Sequence, residues 1–338
     1  MTRPTDRATQ ETDMVQRRRM LMQAAALGAA ICSPAARAQA DYPNRPVRLI
    51  VPAGPGSAPD VVARLVAERL GALWGRVLIV DNRPGAGGIP GMSALARSTP
   101  DGYTLGFVPA AMAVITPLLF RQPQFSLDSD LVPVATLATS PLLLVTPAAS
   151  GVRTLGEFAK ASQAKGGRAN FAAPQTGSLP HLAGEMVNRI GRMNLFTVPY
   201  PAPPAAVSAV LSGDAELTAD GVPGLLPHIR SGRLRALAVT SAQRLPGFED
   251  IPTVAETYPG FEAIGWFSLF APTGTPDEIV QRVNRDAARV MQAPDLIARL
   301  AEMGIYPRTG STAETGEFVT AQRQVMKRFV AELGLKPQ

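Results

Sequence analysis

Residues 47–60 read VRLIVPAGPGSAPD, and this stretch decides the fold class. The apolar run 47–51 predicts a buried strand that ends at Pro52, and a loop of Gly, Pro, Ala and Ser follows. Residues 61–65 then begin a pattern with helical spacing. A strand, a loop of small residues and a helix start together direct free backbone N–H groups and the positive end of the helix dipole at one point. The stretch therefore predicts an α/β unit that binds a small anion at this loop.

The same alternation continues along the chain. Apolar runs that predict further strands lie at residues 77–80, 105–108, 142–145, 169–172 and 234–239. Helix-period stretches lie at residues 61–73, 91–97, 155–164, 181–190, 205–211 and 275–291. Strands that alternate with helices indicate an α/β fold with mostly parallel sheets, flanked by helices on both faces. With 338 residues, the chain is long enough for two such domains.

Two apolar segments predict where the chain crosses between two lobes. They are residues 140–147 (SPLLLVTP) and residues 265–272 (GWFSLFAP), and each ends in Pro. If both are hinge strands, lobe 1 comprises residues 41–140 and 266–338, and lobe 2 comprises residues 141–265. A ligand then lies in the cleft between the lobes, at the carboxyl ends of the strands.

Residues 1–40 predict a signal peptide. A polar start is followed by RRRMLM at residues 17–22, an Ala- and Gly-rich stretch, and the A-x-A-like sequence AQA at residues 38–40. The Arg pair and the weakly apolar centre fit the twin-arginine route, and the Sec route is the alternative. A membrane anchor is disfavoured, because the apolar run is shorter than the roughly 20 residues that a span needs. Removal of this segment with Cys32, the only cysteine, suits an oxidising compartment, so we expect the periplasm.

The charge of the chain argues against nucleic acid as a partner. The formal net charge is +6, but residues 1–40 carry six Arg and three acidic residues, so the remaining 27 basic and 24 acidic side chains nearly balance. No basic run with interleaved aromatic residues follows residue 40. The spacing of a zinc site is also absent, because the only histidines, His181 and His228, lie far apart. We expect neither a metal nor another cofactor.

Four loops are candidates for the anion site, and the first comprises residues 52–60. Ser57 and Asp60 form an approximate capping box, and Pro59 lies in the first turn of the predicted helix. Asp60 is then either a first-turn acid that complements the helix dipole or a carboxylate that faces the ligand. A carboxylate in the cleft suits a ligand ammonium or hydroxyl group and repels a second carboxylate.

The second candidate loop comprises residues 81–88 (DNRPGAGG). Its glycines permit positive φ angles and a close approach of a ligand. The loop matches a dinucleotide fingerprint only in part, so a nucleotide is not expected. The alternative interpretation is a tight turn whose base is held by Asn82 and Arg83.

The third candidate loop comprises residues 173–178 (APQTGS). Ser178 is a natural N-cap, and the hydroxyl groups of Thr176 and Ser178 with the N–H groups around them form a carboxylate cradle. His181 follows in the first turn of the helix. We expect it to be structural rather than catalytic, because no activated nucleophile with a base accompanies it.

The fourth candidate combines residues 198–201 (VPYP), which run into the predicted helix 205–211, with Asp220, which follows residues 216–219. Tyr200 either hydrogen-bonds a ligand or is a half-buried side chain at a strand end. None of the four loops carries a Lys or Arg placed to bind an anion directly, so backbone donors are expected to hold it. The apolar loop at residues 109–112 indicates that one wall of the pocket is apolar.

Eight motifs from residue 42 onward are similar, in the same order, to those of one protein family. They are YPNRP (42–46), VDNRPGAGG (80–88), PDGYTLG (100–106), GSLPHLAGE (177–185), VPY (198–200), GRLRALAVTSAQR (232–244), IPTVAE (251–256) and APTGTP (271–276). The chain thereby resembles the Bug-type (TctC-like) periplasmic solute-binding receptors of tripartite tricarboxylate transport systems. The resemblance covers nearly all of the chain after the predicted signal.

The resemblance implies a type II periplasmic binding protein, in which two hinge strands join the lobes and the lobes close over a small mono- or dicarboxylate, aliphatic or aromatic. Backbone amides, hydroxyl groups and bridging waters would hold the acid, and no catalytic residue is implied. The implied partners are this ligand and the membrane subunits of the transporter, and the receptor is expected to be a monomer. The implied ligand-binding residues are Ala53, Gly54, Gly56, Ser57, Asp60, Ala86, Gly87, Gly88, Thr176, Gly177, Ser178, His181, Tyr200 and Asp220.

Several positions depart from the family pattern. Ala53 stands where the family usually has an aromatic residue, Ser57 where it has a second Gly, and Pro59 where it has Thr. These departures predict a roomier and less polar pocket. Two other functions remain open on the sequence: a sensor, in which a membrane kinase or regulator reads out the same binding, and a secreted hydrolase or isomerase. The latter needs a nucleophile, a base and an orienting group, and no such set is identifiable.

Overall fold

The computed structural model describes residues 42–174 and 178–334. By its internal contacts the chain divides into one unit of residues 1–44 and another of residues 45–338, and the elements described below belong to the second. The predicted signal peptide at residues 1–40 lies outside the described residues.

Ten strands of the described residues form one mixed sheet with the order β2-β1-β3-β9-β4-β7-β5-β6, and β8 and β10 also pair with β4. The strands are β1 (Val47–Val51), β2 (Leu78–Asn82), β3 (Thr104–Pro109), β4 (Leu131–Pro147), β5 (Asn170–Pro174), β6 (Phe196–Tyr200), β7 (Leu217–Gly221), β8 (Leu234–Val239), β9 (Ile264–Pro272) and β10 (Tyr306–Pro307). Strand β1 is parallel to β2 and β3, and β5 is parallel to β6 and β7. The central strands β4 and β9 run antiparallel to their neighbours.

Eleven α-helices of the described residues pack on this sheet, and the predicted α/β class is confirmed. They are α1 (Ala58–Trp74), α2 (Ile89–Ala96), α3 (Thr116–Leu119), α4 (Leu155–Ala164), α5 (Leu179–Ile190), α6 (Pro203–Ser212), α7 (Val222–Arg230), α8 (Val254–Thr257), α9 (Asp277–Met291), α10 (Pro294–Glu302) and α11 (Thr312–Glu332). Short 3₁₀ turns at Ala86–Gly88 and Ala148–Ser150 and a π-helical turn at Ala111–Ile115 complete the connections. No helix of the described residues combines the length and the apolar character that crossing a membrane requires.

Helix α1 shows why the sequence forms these elements. Its buried side chains include Val62, Leu65, Val66 and Leu70, which recur every three or four residues and so lie on one face of a helix. The helix ends at Gly75, which takes the left-handed conformation (φ 63°) that side chains with a Cβ rarely adopt. Burying each of these large side chains contributes roughly 1.5–3 kcal/mol of hydrophobic stabilisation.

Strand β4 connects two groups of strand pairs. Its residues 131–141 pair with β9, whereas residues 142–147 pair with β7 and β8. The partners therefore change next to the lobe boundary that the sequence predicts at residues 140 and 141. The division into lobe 1 (41–140 and 266–338) and lobe 2 (141–265) stays a prediction.

Candidate functional site

The first two candidate loops leave the sheet side by side. Val51, the last residue of β1, pairs with Asn82, the last residue of the parallel strand β2. The loops that follow these strands lead into the 17-residue helix α1 and, through the turn Ala86–Gly88, into α2. Both helices thus begin at the same edge of the sheet, which is where parallel α/β sheets place their ligands.

The carboxylate of Asp60 is buried in the first of these loops and is fully engaged by protein donors. It accepts hydrogen bonds from the backbone N–H of Gly56 at 2.8 Å, from Nδ2 of Asn82 at 2.9 Å and from Nε of Arg64 at 3.1 Å. Burial tends to raise the pKa of Asp60, but the hydrogen bonds from Arg64, Gly56 and Asn82 outweigh that effect and hold the pKa below its usual value. These contacts favour the first-turn structural role, and a direct contact of Asp60 with a ligand stays a prediction.

The capping box predicted from Ser57 and Asp60 does not form. Ser57 is the N-cap residue of α1, but its hydroxyl makes no cap hydrogen bond. Instead Oγ of Ser57 donates to the carbonyl oxygen of Gly54 at 2.6 Å, while the Asp60 carboxylate accepts from Gly56 within the loop. The loop consequently folds back on itself before the helix begins.

One side of the first loop faces open space. A Cβ added at Gly54 or at Gly56 would meet no heavy atom within 4 Å. Gly56 also has a positive φ of 77°, so the turn itself requires a glycine. The carbonyl oxygen of Ala53 accepts a hydrogen bond from Nδ2 of Asn82 at 3.1 Å, which fixes the start of the loop. A small ligand therefore has access to the loop at Gly54 and Gly56, although the N–H of Gly56 is itself donated to Asp60.

The second loop is packed tightly against its neighbours. A Cβ added at Gly88, whose φ is 84°, would lie 2.5 Å from Cγ of Met112 and 3.1 Å from the carbonyl oxygen of Pro52. The neighbouring Gly87 accepts a hydrogen bond at its carbonyl oxygen from the Thr116 hydroxyl at 2.7 Å. Met112, in the apolar segment that the sequence placed in one wall of the pocket, thus lies against Gly88 of the second loop.

The remaining candidate residues, Tyr200 and Asp220, lie at the same level of the sheet on β6 and β7, the two strands that flank β5. Pro174 of β5 pairs with Tyr200 of β6, and Ala172 of β5 pairs with Thr218 of β7. Two residues further along each strand, Pro174 and Asp220 stand at the same level of the sheet, because side-chain positions on paired strands advance together. Tyr200 is half-buried against an apolar cluster, which agrees with its structural alternative, and its contact with a ligand stays a prediction.

Asp220 is half-buried and its side chain accepts a hydrogen bond from the backbone N–H of Gly221. Burial raises the pKa of Asp220, and the Gly221 hydrogen bond only partly offsets this. Within residues 42–174 and 178–334, no Lys or Arg forms an ion pair with this carboxylate. An ionised Asp220 would favour a ligand hydroxyl or ammonium group and would repel a ligand carboxylate.

The third loop provides the start of α5. Ser178 is the N-cap, as predicted: its Oγ accepts a hydrogen bond from the backbone N–H of His181 at 3.3 Å and donates to the carbonyl oxygen of Pro174 at 2.6 Å. The single hydrogen of this hydroxyl is used within the protein, so Ser178 fixes the helix start, and its contact with a ligand stays a prediction. Thr176 and Gly177 lie outside the described residues.

His181 is buried in the first turn of α5. Its Nε2 lies 4.0 Å from Oε1 of Glu185, one turn later, and that carboxylate accepts a short hydrogen bond from Thr197. Burial lowers the pKa of His181, which favours the neutral imidazole, and the nearby Glu185 partly opposes this. This arrangement agrees with the expected structural role.

The start of α5 lies close to the first group of loops. Leu182, which is buried, and Leu179, which is partly buried, pack in the same apolar cluster as Ile50 of β1 and Ala110. Leu179 also lies near β9, because a Cβ added at Gly265 would be 3.6 Å from its Cδ2. The structure therefore packs the start of α5 against β1 and the segment that follows β3, and an anion site shared by α1 and α5 stays a prediction.

Sequence reasoning assigned Asn82 only to the base of a turn, whereas it bonds Ala53, Asp60 and, as an acceptor at Oδ1, Arg64. The sequence did carry a signal for the Asp60–Arg64 pair to which Asn82 bonds, since an acid and an Arg four residues apart on a helix are neighbours. Among the described residues, no group of three or more His, Cys, Asp or Glu side chains could hold a metal ion.

Comparison with known proteins finds a matching family model, related sequences and similar solved structures. The family model described as the tripartite tricarboxylate transporter family receptor matches residues 62–335. The chain is 36% identical to the protein BugT of Bordetella pertussis over 298 residues, which is 87% of this chain and 91% of BugT. It also superposes on a structure of R. palustris Rpa4515 with adipate (TM-score 0.73, 30% identity, 88% of this chain and 100% of that one). A structure of MatC from Rhodopseudomonas palustris with bound malate gives a TM-score of 0.68 and 28% identity, over 86% of this chain and 100% of MatC.

Proposed function

The chain belongs to the tripartite tricarboxylate transporter family of receptors, and from this membership we propose that it captures a small carboxylate in the periplasm and delivers it to the membrane subunits of such a transporter. The type II binding-protein fold expected from the resemblance is that of the family. Because the family consists of receptors, we also propose that the protein performs no catalysis. We further propose that it acts as a monomer.

One observation carries the proposal: the first loop presents an accessible backbone in front of a helix N-terminus. The glycines at positions 54 and 56 face open space, and the 17-residue helix α1 begins at Ala58. Backbone N–H groups at such a start, with the helix dipole behind them, stabilise an anion without a cationic side chain. The start of α5, fixed by Ser178, supplies a second set of N–H groups from the neighbouring region.

The class of ligand follows from the relatives and from the walls of the site. Rpa4515 was solved with adipate and MatC with malate, and both ligands are dicarboxylates. In this chain Ala53 is small, and Met112 with Phe120 borders the second loop. We therefore propose a mono- or dicarboxylate with an aliphatic or aromatic body, held at the four loops that the sequence analysis assigned to the site. Asp60 supports the first loop from behind in this proposal.

A thermal-shift screen of the purified mature chain against carboxylic acids tests the proposal. Adipate, malate and benzoate are the first probes, since a ligand that binds only the folded state raises the melting temperature. Calorimetry then compares the wild type with the double variant Thr176→Ala/Ser178→Ala, which we expect to weaken binding by roughly 1–3 kcal/mol. Unchanged affinity in the double variant would remove the third loop from the site. A panel of carboxylates that produces no shift at all would contradict the proposed function.

A further inference from the structure

A concave groove of about 1000 Å³ runs along helix α2, outside the contacts described so far. Residues at the start of α2 (Ile89) and just after its end (Arg97) both line it, so its length is at least that of the helix. Four arginines that are separated in the sequence converge on it: Arg45, Arg48, Arg83 and Arg97. We call this feature the arginine groove.

Two of the four guanidinium groups are held in place by neighbours. Arg45 pairs with Asp101 at 2.9 Å and lies over the ring of Tyr103 at 4.0 Å from its centroid. Arg83 pairs with Asp81 at 3.0 Å. These contacts fix the direction of both side chains and partly neutralise their charge.

The other two guanidinium groups have only neutral partners within the described residues. Nη2 of Arg48 lies 3.4 Å from Oγ1 of Thr104, and Nε of Arg97 lies 3.3 Å from the carbonyl oxygen of Ser93. Both side chains are exposed. Asp101 is the single acidic residue among those that line the groove, against four arginines. The groove is therefore strongly positive although the mature chain is nearly balanced in charge.

One end of the groove reaches the candidate ligand site. Ala86 lines the groove, and it begins the turn Ala86–Gly88 that packs against Pro52 and Met112. Arg83, which also lines the groove, donates its backbone N–H to the carbonyl oxygen of Val51 at 2.8 Å. One end of the groove is therefore formed by the second candidate loop.

We propose that the arginine groove docks an acidic segment of a partner protein, which, on the function proposed above, is a membrane subunit of the transporter. Guanidinium groups bind carboxylates through paired N–H donors, and several of them along a concave track select a row of acidic side chains. Contact at Ala86 gives the partner a surface next to the ligand loop. Charge complementarity of this kind raises the rate of encounter and sets the orientation of docking.

A protein segment fits this groove better than a lipid surface does. The exposed large apolar residues of the described chain are Leu73, Val77, Ile79, Ile190, Phe196 and Ile297, and none of them lines the groove. A membrane-docking surface usually adds apolar anchors to its basic residues. A concave cavity along a whole helix is also larger than a single phosphate needs. Phosphate and anionic vesicles are therefore the competing probes in the test.

The test measures binding of a fluorescein-labelled hexaglutamate peptide by fluorescence anisotropy in low salt. We expect saturable binding to the wild type that weakens as the salt concentration rises, because exposed charges are screened. Arg48→Gln/Arg97→Gln should weaken binding by about tenfold. The matched control, Arg285→Gln/Arg289→Gln, removes the same charge from exposed positions on α9 and should bind like the wild type. Equal losses in both double variants, or no binding at all, would overturn the proposal.

Three further readouts separate the alternatives. Inorganic phosphate or phosphatidylglycerol vesicles that bind through Arg48 and Arg97 when the peptide does not would overturn a protein partner. Carboxylate affinity, measured by calorimetry, should be the same in Arg48→Gln/Arg97→Gln and in the wild type, whereas receptor-dependent uptake in cells should fall only in this variant. If no carboxylate binds the wild type but the peptide still docks in an arginine-dependent way, the proposed function fails and the docking surface stands.

Discussion

The side-chain amide of Asn82 donates a hydrogen bond of 2.9 Å to the carboxylate of Asp60, and this contact joins the loop after β1 to the end of β2. The same amide also donates to the carbonyl oxygen of Ala53 at 3.1 Å. Two loops that the sequence treats as separate candidates are therefore one braced structure. The brace takes up the backbone N–H of Gly56 and leaves the space beside Gly54 and Gly56 open.

Asp60→Asn should lower the free energy of unfolding by about 1–3 kcal/mol at pH 7, because charge-assisted hydrogen bonds from Gly56 and Arg64 are lost at a buried site. Urea denaturation measures the change. Asp128→Asn is the control: it also removes the acid of an Arg pair, but its side chain is 74% exposed and little stability depends on it.

If Asp60 only supports the loop, Asp60→Asn affects the binding of mono- and dicarboxylates equally. Tighter binding of dicarboxylates alone would show that Asp60 faces the ligand.

The stabilisation by Asp60 also has a predictable dependence on pH. The folded pKa of Asp60 lies below the ordinary value of 3.8, so the group contributes stability above that value. The contribution is lost as the pH falls from 3.8 through the folded pKa. We expect the stability difference between the wild type and Asp60→Asn to be constant from pH 7 to pH 5 and to shrink below pH 4. A difference that persists undiminished at pH 2 would contradict the assigned hydrogen bonds.

Much of the fold was predictable because the buried strands are continuous apolar runs. The strands at Val47–Val51 and Leu234–Val239 and the helix at Leu155–Ala164 have the predicted bounds. Helix α11 was missed because its buried face mixes Val319 and Met326 with polar residues, so it shows little apolar periodicity. Its capping box, formed by residues 311 and 314, was the signal that could have located its start.

The candidate site was less predictable than the fold. The sequence located the loops, since small residues between a strand and a helix have few other uses. It did not fix the direction of individual side chains: Ser57 turns its hydroxyl towards Gly54 rather than capping α1. The arginine groove was also missed, because Arg48 and Arg97 come together only through the pairing of β1 with β3 and the packing of α2. Loop geometry of this kind depends on tertiary contacts that a local pattern does not encode.

Gly88→Ala should destabilise the protein by at least about 2 kcal/mol. The new Cβ would be strained by the positive φ of 84° and would press on Met112 and on the backbone of Pro52. Gly54→Ala is the matched variant in the neighbouring loop, where the new methyl group meets nothing within 4 Å. It should leave stability within about 0.5 kcal/mol of the wild type and weaken carboxylate binding. Thermal unfolding and calorimetry distinguish the two, and a stable Gly88→Ala variant would refute the packing described for the second loop.

Ser178→Ala should cost about 1 kcal/mol of stability, because α5 loses its N-cap. Ser311→Ala, which removes the N-cap of α11, should cost a similar amount and serves as the control. Only Ser178→Ala should also weaken carboxylate binding, by about fivefold, since a frayed helix start no longer holds its N–H groups in place. Equal carboxylate affinities in the two variants would mean that the start of α5 does not contact the ligand.

Asp220→Asn should raise both thermal stability and carboxylate affinity at pH 7. Burial raises the folded pKa of Asp220, so the protonated form is favoured in the folded protein, and this stabilisation is lost as the pH rises through that pKa. The neutral amide avoids the cost of burying a charge, and we expect an increase in melting temperature on the order of 1–3 °C at pH 7 that disappears below pH 3.8. Asp214→Asn, a nearby exposed acid, controls for the change in net charge.

The wild type should bind a carboxylate more weakly as Asp220 ionises, and the variant should lack this dependence. Weaker binding by Asp220→Asn at pH 7 would instead show that the ionised carboxylate accepts a hydrogen bond from the ligand, and it would direct the search towards hydroxy or amino acids.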